Sequence, residues 1–144
     1  MNKPASIASV FGPKAANQGP TDPDAPTEFT TTASGLKYRS LRKSEGAKPS
    51  PESEVTVHYK GWLPDPHDGS RGKVFDSSYA RGETISFPLN RVIKGWTEGM
   101  QLVGEGGMIE LEIPAPLGYG AKGAGADIPP NATLRFIVEL KKIK

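Results

Sequence analysis

Large aromatic side chains are the residues of this sequence that could support a reaction. The run Val92-Ile93-Lys94-Gly95-Trp96 brings a tryptophan to the start of a short predicted helix. Tyr59, Phe75 and Phe136 lie on predicted strands and are expected to point inward. Aromatic rings that converge on one floor residue predict an apolar cup for a flat hydrophobic group. Because no paired nucleophile and base accompanies them, chemistry in this cup needs only shape, desolvation and a few hydrogen bonds.

Two other motifs suggest different chemistry, and both have a simpler interpretation. The run Gly118-Tyr119-Gly120-Ala121-Lys122-Gly123 matches the spacing G-x-G-x-x-G of a dinucleotide site. Such a site requires a helix to begin there, whereas Ile128-Pro129-Pro130 and then a strand follow, so we interpret the glycines as turn formers. Asp65, His67 and Asp68 have no converging histidine or cysteine. They predict a solvated loop, and we expect no metal site.

Period-two alternation dominates the elements that must position the aromatic residues. It predicts five strands, which cover residues 36–41, 54–60, 85–89, 109–113 and 133–140. Trp96, Met100 and Val103 recur instead at helical spacing, and glycines from Gly104 onward end that run. The predicted class is α+β, a curved antiparallel β-sheet wrapped around one short α-helix. Alternation between apolar and polar residues also predicts that only one face of the sheet is covered.

Composition indicates one folded domain after a tail. The chain has 144 residues, no cysteine and a formal net charge of +2, with the two signs interspersed. It lacks the basic stripe of a nucleic-acid-binding protein. Residues 1–32 are rich in proline and predict a disordered or extended tail, followed by a domain over residues 33–144. No apolar run is long enough for a signal peptide or membrane span. The expected location is the cytoplasm, with an exported or processed form as the alternative.

Five stretches of the predicted domain together carry a resemblance. They are Val55-Thr56-Val57-His58-Tyr59-Lys60-Gly61, Phe75-Asp76-Ser77-Ser78, Val92-Ile93-Lys94-Gly95-Trp96, Gly118-Tyr119-Gly120-Ala121, and Ile128-Pro129-Pro130-Asn131-Ala132-Thr133-Leu134 with Phe136. In this order they resemble the FKBP family, the macrolide-binding peptidyl-prolyl cis-trans isomerases. The match spans the whole predicted domain. It implies a single-domain member with the FKBP-like fold.

The resemblance also implies a role for each residue of the cup. The residues implied in catalysis are Tyr59, Asp76, Ile93, Trp96, Tyr119 and Phe136, and those implied in ligand binding are Phe75, Arg81, Ile85, Val92 and Ile128. Trp96 would form the floor, with Asp76 beside Tyr59 at the edge. The Ile93 N–H and the Tyr119 hydroxyl would donate hydrogen bonds to bound carbonyl groups.

Departures from the family pattern concern the rim of the cup. Ile85 stands where many relatives carry an aromatic wall, and Asp127 where the flap often has an apolar residue. Both differences imply weaker binding of large macrolides. The loop from Pro64 to Val74 is longer than in compact members, which implies a different choice of partners. None of these positions touches the predicted floor.

The activity that the resemblance implies is faster rotation about X-Pro bonds in client proteins, without a cofactor. The expected partners are proline-containing peptides, unfolded proteins and macrolides, and the expected state is a monomer that binds neither nucleic acid nor membrane. One alternative is a binding module of the same fold with little turnover. A second alternative is a chaperone that acts outside the pocket through a domain inserted in the flap. Only seven residues separate Gly120 from Ile128, which is too few for an inserted domain and argues against this alternative.

Overall fold

The computed structural model describes residues 18–64 and 71–144. Its seven strands in these ranges are β1 (Thr30–Thr31), β2 (Lys37–Arg42), β3 (Glu54–Pro64), β4 (Arg71–Ser77), β5 (Ile85–Pro88), β6 (Met108–Ile113) and β7 (Leu134–Ile143). The helical segments are α1 (Ser78–Arg81), α2 (Lys94–Gly99) and the 3-10 turns Leu89–Arg91, Met100–Leu102 and Ala115–Leu117. Across the described ranges, no helix has the length and apolar character needed to cross a membrane. Residues 1–17 of the predicted tail, and Asp65, His67 and Asp68, lie outside the described residues.

The strands form one antiparallel sheet, in which β3 has a central position. The order is β1-β2-β6-β7-β3-β4, and β5 pairs with β3 on the same side as β4. On its other side β3 pairs with β7, with Tyr59 opposite Val138. The curved antiparallel sheet is confirmed, and each of the five predicted strands is present. Strand β1 was not predicted, and β4 was expected only as the strand that carries Phe75, without bounds, because neither sequence alternates.

Helix α2 lies against the inner face of the sheet because two glycines allow a close approach. A Cβ atom built at Gly95 would lie 2.7 Å from Cγ2 of Ile113, and one built at Gly99 would lie 2.7 Å from Cδ2 of Leu111. Both neighbours belong to β6, so the helix rests directly on that strand. The predicted short helix is confirmed, although its last turn, from Met100, is 3-10. The one-turn helix α1 was not predicted.

The outer face of the sheet is partly buried, so the expectation of one covered face was wrong. A second apolar cluster is buried there, formed by Leu41, Trp62, Met108 and Ile137. The segment from Gln18 to Phe29 contributes to the cover, since Gln18 contacts the sulfur of Met108 and the Asp22 N–H donates to the Leu41 carbonyl at 2.7 Å. Alternation along one strand does not show that a distant segment will cover its polar face.

Glu139 is the most deeply buried carboxylate of this outer face, with only 1% of its surface exposed. Its two oxygens accept hydrogen bonds from the Tyr79 hydroxyl at 2.6 Å, the Gly19 N–H at 3.1 Å and the Arg42 guanidinium at 2.8 Å. Burial alone would raise the pKa of Glu139, but these hydrogen bonds outweigh burial and lower the pKa below its ordinary value. The carboxylate therefore joins the N-terminal segment, β2, α1 and β7.

Replacing this carboxylate by an amide tests its contribution to stability. In Glu139→Gln the charge that pairs with Arg42 is lost, so the free energy of unfolding at neutral pH should fall by about 1–3 kcal/mol. A depressed pKa means that the stabilisation is present above the unfolded-state pKa of about 4.3 and is lost as the pH falls through the folded-state pKa. The wild type should therefore lose more stability than the variant below about pH 4.

Urea unfolding at neutral and acidic pH measures this difference. Asp24→Asn is a matched control, because within the described residues Asp24 forms just an exposed ion pair with Lys43 at 3.8 Å. It should change stability by less than about 0.5 kcal/mol. An acid sensitivity that is the same in the wild type and in Glu139→Gln would contradict the assigned role of the carboxylate.

Candidate functional site

An open cavity of about 420 Å³ lies between the inner face of the sheet and helix α2. Its size falls within the range of small-ligand pockets. The lining residues are Tyr59, Phe75, Asp76, Phe87, Arg91, Val92, Ile93, Trp96, Tyr119 and Phe136. Eight of the eleven predicted site residues are therefore brought together around one space. They come from five separate segments of the chain, so the cavity exists only in the folded domain.

Trp96 forms the floor of the cavity and is 4% exposed. Three aromatic rings have their centroids 5.3 Å from that of its indole, those of Tyr59, Phe87 and Phe136. The Tyr59 and Phe136 rings stand nearly perpendicular to the indole, at 87° and 89°. Edge-to-face pairs of this kind are favourable because the positive ring edge meets the negative ring face. The arrangement gives the floor and walls a fixed apolar surface.

Gly61 makes room for two of these wall residues. In β3 it lies opposite Phe136 of β7 and Asp76 of β4. A Cβ atom at this position would lie 2.6 Å from Cε1 of Phe136 and 2.7 Å from Cζ of Phe75. The two rings pack edge to face above it, with centroids 5.6 Å apart. The shape of the cavity wall thus depends on the absence of a side chain at Gly61.

Tyr59, Asp76 and Arg81 lie at the edge of the cavity and form a hydrogen-bonded network with one another. The Tyr59 hydroxyl donates a short hydrogen bond to Oδ2 of Asp76, and the Arg81 guanidinium pairs with Oδ1 at 2.5 Å. Burial alone would raise the pKa of Asp76, but hydrogen bonds from Tyr59 and Arg81, together with the Arg81 charge, lower it below the ordinary value. Burial and the bond to Asp76 raise the pKa of Tyr59. At neutral pH the carboxyl is ionised and the phenol is protonated.

Two candidate hydrogen-bond donors border the cavity, the Ile93 N–H and the Tyr119 hydroxyl. The Ile93 carbonyl accepts the N–H groups of Trp96 and Thr97, which begins helix α2, whereas the Ile93 N–H has no acceptor among the described residues. Tyr119 lines the cavity and is 40% exposed. It follows the 3-10 turn Ala115–Leu117, in a loop where Gly120, Gly123 and Gly125 have positive φ. Turn formation explains these glycines, as expected.

Three predicted site residues lie elsewhere. Arg81 contacts the cavity only through Asp76 and Tyr59. Ile85 is 39% exposed on β5, and it pairs with Val57 outside the lining. Ile128 is buried in the core, where it forms a β-bridge with Ala124. These placements leave Arg81 as a support for the edge, and they put Ile85 and Ile128 outside the space that a small ligand would fill.

Phe87 and Arg91 line the cavity but were not predicted. A signal for Phe87 was present, because Phe87 lies two residues after Ile85 on a predicted strand and therefore shares the apolar face of that strand. Strand β5 ends at Pro88, so Leu89 belongs to a 3-10 turn instead of the predicted strand, and Arg91 ends that turn. For Arg91, the sequence offered just one indication, its position directly before Val92. Position in the chain alone does not predict the direction of a long side chain.

The cavity contains no arrangement for covalent or metal chemistry among the described residues. A hydroxyl and an imidazole do meet elsewhere, Oγ of Ser78 and Nδ1 of His58, at 2.7 Å. Ser78 is fully buried and its Oγ also accepts the Tyr59 N–H, so this pair connects α1 to β3 and cannot reach a substrate. Nor do three or more metal-ligating side chains converge in the described ranges. The cavity can act through shape, desolvation and hydrogen bonding.

The fold and the cavity define a small α+β domain with an aromatic binding pocket, and comparisons identify its family. The model of the family described as FKBP-type peptidyl-prolyl cis-trans isomerase matches residues 45–141. A probable FKBP-type isomerase of Haemophilus influenzae is 52% identical over 113 residues, which cover 78% of this chain and 44% of that protein. The 22 kDa FKBP-type isomerase of Escherichia coli is 50% identical over 113 residues, covering 78% of this chain and 52% of that protein.

Solved structures agree with this family. FkpA from Escherichia coli superposes with a TM-score of 0.75 at 44% identity, covering 83% of this chain and 53% of FkpA. AtFKBP13 superposes with a TM-score of 0.69 at 34% identity, covering 81% of this chain and 99% of AtFKBP13. The chain belongs to the FKBP-type peptidyl-prolyl cis-trans isomerase family. It spans about half the length of the two curated relatives named above.

A methyl group at Gly61 should deform the cavity wall. In Gly61→Ala the Phe75 or Phe136 ring must move, so we expect the free energy of unfolding to fall by about 1–3 kcal/mol and binding of a proline-containing tetrapeptide to weaken. Urea unfolding and an NMR titration with that peptide measure the two effects. Lys60→Ala changes the neighbouring residue of β3 and should leave peptide affinity unchanged. Equal peptide affinity of Gly61→Ala and the wild type would contradict this account of the wall.

Proposed function

We propose that this domain accelerates cis-trans isomerisation of X-Pro peptide bonds. The observation that carries the proposal is the open aromatic cavity floored by Trp96, with the unengaged Ile93 N–H at its wall. A proline ring is small, apolar and nearly flat, and it matches a space bounded by aromatic rings. Family membership supports the same activity.

The chemistry requires only that the cavity bind the twisted amide better than the planar one. Resonance gives the C–N bond partial double-bond character and a rotation barrier of about 18–20 kcal/mol. In the twisted transition state conjugation is lost, and less negative charge lies on the carbonyl oxygen. An apolar cavity therefore destabilises the planar ground state more than the twisted form. Lowering the barrier by about 4 kcal/mol would accelerate rotation roughly a thousandfold.

The lining residues divide these tasks. Trp96, Phe75 and Phe136 would hold the proline ring in an apolar environment. The Ile93 N–H and the Tyr119 hydroxyl would hold carbonyl groups that flank the rotating bond. Asp76 would orient the Tyr59 hydroxyl through their short hydrogen bond without transferring a proton to the substrate.

The expected partners follow from this activity. We propose proline-containing peptides and unfolded proteins as substrates, with assistance to protein folding as the physiological outcome. Macrolide binding to the same cavity, a monomeric state, a lack of binding to nucleic acid or membranes, and a cytoplasmic location are further proposals. The exposed Ile85, which lies outside the cavity lining, supports weaker contact with a large macrolide than an aromatic side chain would make.

A cis-trans exchange measurement tests the activity. NMR exchange spectroscopy on a tetrapeptide with leucine before proline should show catalysed interconversion, and Phe136→Leu should lower kcat/KM about tenfold because a wall of the cavity is lost. Ile137→Val is the matched control, since this neighbour in β7 packs on the outer face. Circular dichroism verifies that both variants fold. Tight peptide binding without exchange would instead favour a binding module with little turnover.

The absence of proton transfer predicts a flat pH profile. The lowered pKa of Asp76 and the raised pKa of Tyr59 keep both groups in one protonation state from about pH 6.5 to 9. Since burial lowers the pKa of His58 below its ordinary value, this imidazole is mainly neutral over the same range. We therefore expect kcat/KM to be constant there within about twofold. A bell-shaped profile would show that an acid or base acts on the substrate.

A further inference from the structure

Arg91 is the charged side chain of the cavity that lacks an internal partner. It lines the cavity, and its residue is exposed. No carboxylate of the described residues lies within ion-pair distance of its guanidinium, and no hydrogen-bond acceptor there engages it. An exposed guanidinium presents five N–H donors in a planar fork that matches a carboxylate. The side chain is therefore available to a ligand.

The remaining charge of the lining is already neutralised. Asp76 is the other charged lining residue, and its carboxylate is paired with Arg81 at 2.5 Å and accepts the Tyr59 hydroxyl. The ionised pair of Asp76 and Arg81 has no net charge. Arg91 consequently gives the cavity one unbalanced positive charge.

The turn that carries Arg91 is fixed to the core. Leu89 is fully buried, its N–H donates to the Ser53 carbonyl at 2.9 Å, and its carbonyl accepts the Thr97 hydroxyl at 2.5 Å. Arg91 is the last residue of this turn and lies two positions before Ile93. Consecutive Cα atoms are about 3.8 Å apart, so the Cα atoms of Arg91 and Ile93 are separated by at most about 7.6 Å. A peptide held by the Ile93 N–H therefore has neighbouring residues within reach of the Arg91 side chain.

We propose that Arg91 makes the domain select X-Pro segments with an aspartate or glutamate within two residues of the proline. This specificity rests on the proposed function, because it requires the peptide to occupy the same cavity. The attraction acts across a solvent-exposed rim, where ion pairs are weak, so the expected preference for an acidic over a basic neighbour is about two- to fivefold in kcat/KM. Screening limits the attraction to about 8 Å at physiological ionic strength.

Peptide sets that differ in one residue test the preference. One set varies the residue before Leu-Pro-Phe among glutamate, glutamine and lysine, and a second varies the residue after it. Exchange NMR gives kcat/KM, and a chemical-shift titration of the protein gives Kd from the same samples. In at least one set, the wild type should prefer glutamate over glutamine and glutamine over lysine. The preference should shrink when the salt concentration is raised to about 0.5 M.

Two variants assign the preference to Arg91. Arg91→Gln should remove it, and Arg91→Glu should reverse it. Ratios between peptides are compared within each variant, which cancels any change in overall turnover. Lys48→Glu is the control, because it makes the same change in net charge at an exposed residue that is outside the cavity lining. It should keep the order of the wild type.

The outcomes separate this inference from the proposed function. An unchanged order in Arg91→Glu, equal rates for all three peptides of both sets in the wild type, or an equal loss of preference in Lys48→Glu would overturn the role of Arg91. Absence of exchange with every peptide would overturn the isomerase activity. In that case the Kd order still decides the inference, since a preference for the glutamate peptide that reverses in Arg91→Glu would support it, and its absence would overturn it.

Discussion

The cavity depends on two places where the chain approaches a neighbour so closely that a side chain does not fit. At Gly95 helix α2 rests on β6, and at Gly61 strand β3 leaves space below the Phe136 ring. These contacts fix the distance of the helix from the sheet and the tilt of a wall. The aromatic rings then meet edge to face around Trp96, and an open space remains between them. The apolar surface is thus shaped by backbone geometry as much as by the rings.

The polar side chains at the edge of this cavity satisfy one another's hydrogen-bonding capacity and charge. Asp76 accepts the Tyr59 hydroxyl and pairs with Arg81, so its ionised state is stabilised without a substrate. A group whose pKa is far from neutrality is a poor proton donor or acceptor for general acid–base catalysis. The edge therefore contributes orientation and a fixed field, which agrees with the proposed isomerisation, a reaction that breaks no covalent bond.

Much of the fold could be predicted from sequence, because alternation of apolar and polar residues along a strand indicates which face of the sheet is buried. This inference holds when elements that are close in sequence cover that face. The core strands followed from alternation, and the helical spacing of Trp96, Met100 and Val103 predicted helix α2. Eight cavity residues followed from the family resemblance. The outer face could not be predicted, since its cover comes from residues distant in sequence. Glu139 alternates with apolar residues as an exposed carboxylate would, yet Tyr79, Arg42 and Gly19 converge on it. Arg91 was missed because it lies in a turn between the predicted strand and the predicted helix, where periodicity does not indicate the direction of a side chain.

The proposed catalysis and the proposed selection of acidic neighbours place opposite demands on charge in this cavity. A cation close to the rotating bond would stabilise the planar amide, whose oxygen carries more negative charge, and would therefore raise the barrier. Arg81 meets this demand because its charge is balanced by Asp76. The Arg91 side chain is exposed to solvent, which weakens its field toward the floor. Its position would separate the two proposed functions, since a neighbouring acidic residue of a peptide could contact it while the proline remained among the rings.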